Sequence, residues 1–212
     1  MTKTVAVIDY GVGNLLSVTR ALSHVGCEPA LCSDARGLER ADRVILPGVG
    51  AFADGMAGLD RHGLTEAIRR FADTGRPLLG ICLGMQMLLD TSTEFGSNEG
   101  LGLIPGSVIA IPNTGADNVP HKIPHIGWNR LLPAAANIEN PLLKDLPESA
   151  SVYFVHSFMA DPATPAHRVA DCDYDGRRIS AVIGRDNIHG CQFHPEKSGP
   201  VGLQILRNFV NL

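Results

Sequence analysis

Residues 80–86 of the chain are Gly80-Ile81-Cys82-Leu83-Gly84-Met85-Gln86. The two residues just before this stretch, Leu78-Leu79, predict the end of a short buried strand. After it, apolar residues recur at helical spacing: Met85, Leu88 and Leu89. We therefore expect Cys82 to lie where a strand turns sharply into a helix, with the glycine on either side leaving room for the corner.

A cysteine at such a corner has the geometry of a nucleophile. The motif is the sulfur counterpart of the G-x-S-x-G elbow, which exposes the side chain at its tip. A helix N-terminus beside the sulfur favours the thiolate, and the backbone N–H of Leu83 is left free to stabilise an oxyanion. The alternative is that Cys82 is a small buried hydrophobic residue in a βα turn. The motif alone does not decide between the two.

A second motif, more than a hundred residues later, supplies the partners that a nucleophile needs. It is Gln192-Phe193-His194-Pro195-Glu196-Lys197. A cysteine nucleophile requires a base, and the base requires a group that orients it. In an extended segment residues i and i+2 face the same way, so His194 and Glu196 can form one relay. The alternative is a surface turn that carries a solvated histidine and glutamate.

The composition limits the class of protein. The chain has 212 residues, of which 44% are hydrophobic and 19% charged, and we expect a single domain spanning 1–212. A net charge of −4 argues against a nucleic-acid partner. No apolar run approaches membrane-spanning length, which argues against a membrane protein.

The cysteines and the N-terminus favour a cytoplasmic location. Five cysteines without a C-x-x-C pair suit a reducing compartment, and neither a disulfide framework nor a zinc site. The first predicted strand begins at Val5 with no signal peptide before it. His121 and His125 have the spacing of metal ligands on a helix, but Pro120 and Pro124 argue against a helix there. The sequence thus indicates no metal and no cofactor.

The N-terminal half alternates strands and helices. Strands are predicted before Cys82 and at Val5–Ile8, Ala30–Cys32 and Arg43–Leu46. Helices are predicted from about residue 14 to 25 and from Leu59 to Ala72, the second with an apolar face of Leu64, Ala67, Ile68 and Phe71. Four βα repeats predict a three-layer, doubly wound α/β fold with a mostly parallel sheet.

The C-terminal half predicts a series of short strands, with extra antiparallel strands among them. They are expected at Val108–Ile111, Val152–Val155, Arg168–Ala170, Ile179–Ile183 and His189–Phe193. Residues 173–176, Asp-Tyr-Asp-Gly, predict the turn of a hairpin. A last helix is predicted from about Gly199 to Asn211, with apolar residues at i, i+4 and i+8.

Two glycine-rich turns follow predicted strands. Residues Pro47–Phe52 place backbone N–H groups at the end of a parallel strand, where α/β proteins bind ligands. The Gly48–Val49 peptide there is a candidate second oxyanion donor, free to reorient, and a plain turn is the alternative. Gly11 and Gly13 after the first strand, with Asp34 after the second, suggest dinucleotide binding. The third glycine of that fingerprint is replaced by Leu16, which weakens this interpretation.

With both motifs in place, the chain resembles the class I (triad) glutamine amidotransferases. It is similar, more narrowly and from end to end, to the glutaminase subunits of imidazole glycerol phosphate synthase, which implies a flavodoxin-like fold. The stretches that carry the resemblance are the elbow, Asp9–Leu15, Pro47–Phe52, Pro124–Asn129, Tyr153–Ser157 and Gln192–Ser198. Two departures stand out: Phe158-Met159 where the family often has a tyrosine, and a segment 133–151 that is longer than expected.

The resemblance implies a role for each site residue. Cys82 attacks the side-chain amide of glutamine, His194 moves the proton and Glu196 orients the imidazole. The oxyanion donors are Leu83 and the segment Gly48, Val49 and Gly50. Gln86 and Glu94 hold the amino-acid end of the substrate, and His156 and Ser157 help to position it.

The resemblance also implies a partner. Family members dock on a (βα)8-barrel cyclase subunit, which uses the ammonia to make imidazole glycerol phosphate and aminoimidazole-carboxamide ribotide (AICAR). The residues expected at the docking face are Asn14, Trp128, Asn129, Tyr153 and Lys197. The alternative for Trp128 is core packing.

Other functions stay open at this point. The chain fits a glutaminase that serves anthranilate, aminodeoxychorismate or pyridoxal phosphate synthesis. It also fits a stand-alone cysteine hydrolase or peptidase, and a regulatory binding module with an inactive triad. Dinucleotide binding at Gly11 and Gly13 is the last alternative.

Overall fold

The structure is a computed structural model that describes residues 4–134 and 139–212. Its helices are α1 (Leu15–His24), α2 (Ala35–Arg40), α3 (Phe52–Arg61), α4 (Thr65–Asp73), α5 (Leu83–Met87) and α6 (Gly199–Asn211). The strands up to the middle of the chain are β1 (Val5–Ile8), β2 (Pro29–Cys32), β3 (Arg43–Gly48), β4 (Leu78–Cys82), β5 (Leu89–Ser92), β6 (Asn98–Glu99) and β7 (Ile104–Ala110). The later strands are β8 (His125–Arg130), β9 (Leu132–Pro133), β10 (Ser151–His156), β11 (Phe158–Pro162), β12 (Arg168–Tyr174), β13 (Arg177–Arg185) and β14 (Ile188–Cys191).

The central sheet has the strand order β2-β1-β3-β4-β14-β13-β12-β9. Strands β1 to β4 and β14 run parallel, and β13, β12 and β9 continue the sheet antiparallel. Alternate residues of β1 enter two different apolar cores: Val5 and Val7 lie in one, Ala6 and Ile8 in the other. The predicted α/β fold with extra antiparallel strands is therefore confirmed, and β1 is apolar throughout because both faces of the sheet are covered.

The prediction of a single helix over Leu59–Ala72 is wrong. Two helices, α3 and α4, occupy the region, and α3 already begins at Phe52. Gly63 lies between them with a φ of 64°. Glycine adopts this left-handed conformation without the steric cost that other residues have, and so it ends a helix.

The helix after Cys82 is also shorter than predicted. It ends at Met87, and Leu89 is the first residue of β5 instead of a helical position. Leu89 pairs with Ile104 of β7 in a second sheet of order β11-β7-β5-β6. The apolar spacing of residues 85–89 reflects burial in both elements, since Leu88 and Leu89 are fully buried.

The second half holds more strands than its glycine and proline content indicates. The sequence predicted a strand at Val108–Ile111, but β7 begins at Ile104 and ends at Ala110, and β5, β6, β8, β9 and β11 were not predicted. Pro105 and Gly106 interrupt the apolar pattern that would otherwise have predicted the start of β7. Gly106 adopts a φ of 144°, and a Cβ there would lie 2.5 Å from the carbonyl oxygen of Asp161, so this strand needs a glycine.

Other C-terminal predictions are confirmed in place. The last helix matches α6, and the predicted hairpin turn joins β12 to β13. Of the long segment 133–151, residues 135–138 lie outside the described residues. Its later part is held on α6, because Asn208 donates hydrogen bonds to the carbonyls of Leu142 and Lys144.

None of the helices in the described ranges has the length and apolar character needed to cross a membrane.

Candidate active site

Cys82 is the last residue of β4 and immediately precedes α5. Its backbone has φ 55° and ψ −111°, a strained conformation for a residue with a side chain, of the kind that concentrates at functional sites. The elbow glycines are required by close packing. A Cβ at Gly84 would lie 1.8 Å from the carbonyl oxygen of Leu46, and one at Gly80 would lie 2.6 Å from that of Gly84.

The sheet brings His194 to Cys82. Strands β4 and β14 are parallel neighbours with Ile81 opposite Cys191, so the chain leaves both strands at the same edge. The side chains of His194 and Cys82 line the same cavity, and the sulfur lies close enough to raise the pKa of the imidazole. Its Nδ1 lies 2.8 Å from Oε1 of Glu196.

The conformation predicted for this second motif is wrong in one respect. His194 is extended, but Pro195–Lys197 forms a turn of 3₁₀ helix. Proline is well suited to the first position of a helical turn, since its ring fixes φ and it has no N–H to satisfy. The turn brings the carboxylate of Glu196 back to the imidazole.

The electrostatics favour a charged pair. Burial lowers the pKa of His194, but its hydrogen bonds to Cys82 and Glu196 outweigh burial and raise the pKa to about 9. The imidazole is therefore protonated at neutral pH beside the sulfur. The side chain of Glu196 is fully buried, and its Oε1 also lies 3.4 Å from Nδ2 of Asn14. Asn14, predicted at the docking face, thus reaches Glu196.

A cavity of about 370 Å³ opens in front of the sulfur. Most of the predicted site residues line it: Val49, Gly50, Cys82, Leu83, Gln86, Glu94, His156, Ser157, His194 and Lys197. A larger cavity of about 830 Å³ lies against residues 130–133 and 139–150 and shares none of these residues. The smaller cavity is the candidate site because Cys82 and His194, the predicted nucleophile and base, line it.

The predicted oxyanion donors flank Cys82. Gly48 ends β3 and pairs with Cys82 across the sheet. Leu83 is the first residue of α5, so its N–H has no partner within the helix. Gly48 has no room for a side chain, since a Cβ would lie 2.7 Å from the Tyr10 hydroxyl and 2.9 Å from the Gly84 nitrogen.

The two residues predicted to bind the substrate's amino-acid end already have partners in the protein. The N–H of Phe52 donates to Oε2 of Glu94 at 2.6 Å. Nε2 of Gln86 donates to the carbonyl of Phe158 and to Oε1 of Gln192, each at 3.1 Å. Both side chains nevertheless line the cavity.

His156 is more constrained than predicted. Its Nδ1 donates to the carbonyl of Phe158 at 2.8 Å, and its Nε2 lies 3.0 Å from Nδ1 of His125. Burial lowers the pKa of His156 to about 3 and that of His125 to about 4, so both rings are neutral at pH 7. Neither nitrogen of His156 is left to hydrogen-bond a substrate, and only the face or edge of its ring is available.

The predicted docking face is partly exposed. Trp128 is 59% exposed, which excludes the alternative of core packing. It pairs with Tyr153 across strands β8 and β10, and the two ring centroids lie 6.2 Å apart. Asn129 is turned the other way, and its Nδ2 donates to the carbonyl of Asp173 at 2.6 Å. Lys197 is exposed at the rim of the cavity.

One residue at the site was missed by sequence reasoning. Gln192 is completely buried, and its Nε2 lies 3.7 Å from the sulfur of Cys82. Its signal in the sequence is its place in the second motif, two residues before His194.

The glycines of the proposed dinucleotide fingerprint have a conformational explanation. Gly11 has a φ of 90° and Gly13 a φ of 133°, both in the region that favours glycine. A Cβ at Gly13 would touch the ring of Pro47 at 3.5 Å. The turn therefore needs these glycines without any bound nucleotide.

Comparison with known proteins assigns the family. Residues 6–212 match the family model described as "Glutamine amidotransferase class-I". The chain is 54% identical over 211 residues to imidazole glycerol phosphate synthase subunit HisH 1 of Legionella pneumophila (strain Lens), covering 99% of both chains. It is 48% identical to subunit HisH of Halobacterium salinarum, covering 98% of this chain and 93% of that one.

Solved structures show the same fold at much lower identity. A structure described as PurLQS from Thermotoga maritima matches all of this chain and 99% of its own, with a TM-score of 0.75 at 21% identity. Full-length identity of 54% to a HisH protein is far more specific than this likeness of fold. The chain therefore belongs to the class I glutamine amidotransferases and, within them, to the HisH subunits of imidazole glycerol phosphate synthase.

Proposed function

We propose that residues 1–212 act as one glutamine amidotransferase domain that hydrolyses glutamine and passes the ammonia to a (βα)8-barrel cyclase subunit. The cyclase makes imidazole glycerol phosphate and AICAR, the histidine-biosynthesis reaction of this family, in the cytoplasm. One observation carries the proposal. Cys82 and His194 line one cavity, and Oε1 of Glu196 lies 2.8 Å from Nδ1 of that histidine.

The reaction follows from this arrangement. The Cys82 thiolate attacks the side-chain carbonyl carbon of glutamine, and a C–S bond forms. His194, protonated at neutral pH, gives its proton to the leaving nitrogen, and the C–N bond breaks to release ammonia. Water then attacks the γ-glutamyl thioester, His194 takes a proton from it, and the thiolate leaves with glutamate as product. Glu196 holds the imidazole through Nδ1.

Two backbone donors are proposed for the oxyanion. They are the N–H of Leu83 and an N–H from residues 48–50, on opposite sides of the sulfur. Loss of one such donor typically costs about 2.7–4 kcal/mol of transition-state stabilisation. The Gly48–Val49 peptide is the adjustable one, because Gly50 beside it has a φ of 99° and open space around its Cα.

The substrate's amino-acid end is proposed to lie between Gln86 and Glu94. Glu94 has one carboxylate oxygen on the Phe52 N–H, and the other is available to an ammonium group. Ser157 offers a hydroxyl in the same cavity, and the ring of His156 packs beside it. These groups orient glutamine so that its amide faces Cys82.

The docking surface is proposed to lie around Trp128, beside the cavity. Asn14, Tyr153 and Lys197 belong to this surface in the proposal, whereas Asn129, expected there from the sequence, directs its side chain to the Asp173 carbonyl. Asn14 and Lys197 connect it to the triad, since Asn14 contacts Glu196 and Lys197 lines the cavity. A partner seated there is placed to reorient the Gly48–Val49 peptide and to receive the ammonia. The isolated chain should therefore have low glutaminase activity.

The test is glutamate release from glutamine by the chain alone and then with a barrel cyclase subunit and its ribonucleotide. Cys82→Ala is the control. We expect activity that rises sharply only with the loaded partner and vanishes in Cys82→Ala. Equal activity with and without that partner would keep the glutaminase and reject the partner assignment. No glutamate under any condition would favour another hydrolase or a binding module.

A further inference from the structure

We infer that Gln192 is a catalytic residue: its side-chain amide donates a hydrogen bond to the Cys82 thiolate and stabilises the sulfur as both nucleophile and leaving group. The inference rests on the proposed function of the triad and adds a fourth side chain to it. It starts from one contact, Nε2 of Gln192 at 3.7 Å from the sulfur of Cys82.

The network around Gln192 fixes which end of its amide faces the sulfur. The carbonyl of Phe158 can only accept, so the group of Gln86 that approaches it at 3.1 Å must be the NH₂. That same NH₂ lies 3.1 Å from the Gln192 side chain, which must present its oxygen there. The NH₂ of Gln192 therefore points to Cys82. A donor favours the anionic sulfur over the neutral thiol.

Burial makes this contact specific. Gln192 is 0% exposed and its backbone continues from β14 into the catalytic turn, with its N–H on the carbonyl of Ala181. It is absent from the residues that line the cavity in the described structure, so its reach is to the sulfur and not to the substrate. Gln86 is its positioning residue, since it holds the oxygen of the Gln192 amide.

The chemistry uses the donor twice. Before attack it stabilises the thiolate that pairs with protonated His194. During hydrolysis of the thioester the C–S bond breaks and the electron pair returns to sulfur. The same N–H then stabilises the thiolate that forms again by donating a hydrogen bond to it. Loss of the donor should therefore lower kcat and leave KM for glutamine nearly unchanged.

The experiment measures the pH profile of Cys82 alkylation by iodoacetamide in the free protein, with the labelled cysteine identified by mass spectrometry. The variants are Gln192→Met, which keeps the length of the side chain without a donor, and Gln192→Asn, which keeps the amide but withdraws it by one methylene. Loss of a hydrogen bond to a charged group changes the equilibrium between thiolate and thiol by a factor of about 10 to 100. We therefore expect the midpoint of the profile to move up by about 1 to 2 pH units in both variants.

Cys191→Ala is the matched control. Cys191 is adjacent and fully buried, but its thiol hydrogen-bonds the carbonyl of Gly80 and not Cys82. Its alkylation profile should equal that of the wild type. If Gln192→Met does not fold, Gln192→Asn decides the question, because a polar amide is retained in the buried position.

Midpoints unchanged in the folded Gln192 variants would overturn the inference, whatever happens to turnover. Failure of the proposed function has a different signature. The wild type would then release no glutamate, with or without partner, while the alkylation profiles could still be measured and compared.

Discussion

His156 and His125 share a hydrogen bond of 3.0 Å between Nε2 of the first and Nδ1 of the second, and neither residue is more than 6% exposed. The Nδ1–H of His156 is used by the carbonyl of Phe158, so its Nε2 must accept. His125 therefore carries its proton on Nδ1, and its Nε2 accepts from Asn129 at 3.4 Å. The pair is a neutral link between strand β8 and the candidate site.

This pair predicts how stability depends on pH. Burial lowers the pKa of His125 to about 4 and of His156 to about 3, while unfolded histidine titrates near 6.5. Between these values the unfolded chain binds more protons than the folded one. The contribution of these histidines to the free energy of unfolding should thus be complete above pH 6.5. It should fall as the pH drops toward 4, by up to about 1.4 kcal/mol per pH unit for each histidine.

Urea unfolding at pH 7.5, 6 and 5 measures this slope. His125→Asn should reduce it, because asparagine keeps an N–H near the Nδ1 position and does not titrate. His24→Asn, at an exposed position at the end of α1, is the control. An unchanged slope in His125→Asn would contradict the prediction.

The pH dependence of turnover should report His194. Its pKa is raised to about 9 by hydrogen bonds to Cys82 and Glu196 that outweigh burial. If the imidazolium protonates the leaving nitrogen, as proposed, glutaminase activity should fall as the pH rises through about 9. Glu196→Gln removes the carboxylate, and the falling limb should move to lower pH by about one unit or more. The measurement is kcat as a function of pH with the activating partner, and a limb that does not move would count against the role of Glu196.

Two glycines, Gly84 in the elbow and Gly63 between α3 and α4, should respond very differently to substitution by alanine. Gly84→Ala puts a Cβ 1.8 Å from the backbone oxygen of Leu46, a clash that no rotamer relieves, and should cost more than about 3 kcal/mol of stability. Gly63→Ala meets nothing within 4 Å and has only the strain of its φ of 64°. It should cost about 1–2 kcal/mol. Urea midpoints of the two variants compare them directly, and equal losses would show that the close packing at Gly84 is not needed.

The proposed docking surface predicts that substitution of Trp128 weakens partner binding without loss of stability. Trp128→Ala should weaken binding of the barrel subunit by about 2 kcal/mol or more, as for a central aromatic anchor. The stability of the free chain should change by less than about 0.5 kcal/mol. Leu31→Ala is matched in exposure, 57% against 59%, and lies at the β2 edge of the central sheet. Calorimetric titration should show normal binding for Leu31→Ala; equal weakening of both variants would reject this surface.

The sequence predicted well what depends on neighbouring residues. The strand–glycine–cysteine–glycine pattern around Cys82 is local, and so are the apolar run of β1 and the spacing that defines α6. Such local patterns identify the helices and strands. The order of the strands in the sheet follows from them only through the general rules for βα units. The fold class followed from four repeats of one unit.

Contacts between distant strands could not be predicted in the same way. The contact of Gln192 with Cys82 and that of His125 with His156 depend on the register of strands, which no local pattern contains. The helices between residues 52 and 73 were misjudged for a different reason. Gly63 interrupts an apolar pattern that continues on both sides, and only its backbone conformation reveals the break.

The position of β14 has a consequence for how the enzyme matures. This strand lies in the middle of the sheet, between β4 and β13, and it closes a contact 110 residues away in sequence, from Gln192 to Cys82. Contacts of such separation slow folding, because the loop-closure entropy must be overcome before they stabilise the chain. During synthesis the cysteine emerges long before its base, so the thiol stays unactivated until the final strand enters the sheet. Catalytic competence thereby reports that the whole domain has been made and folded.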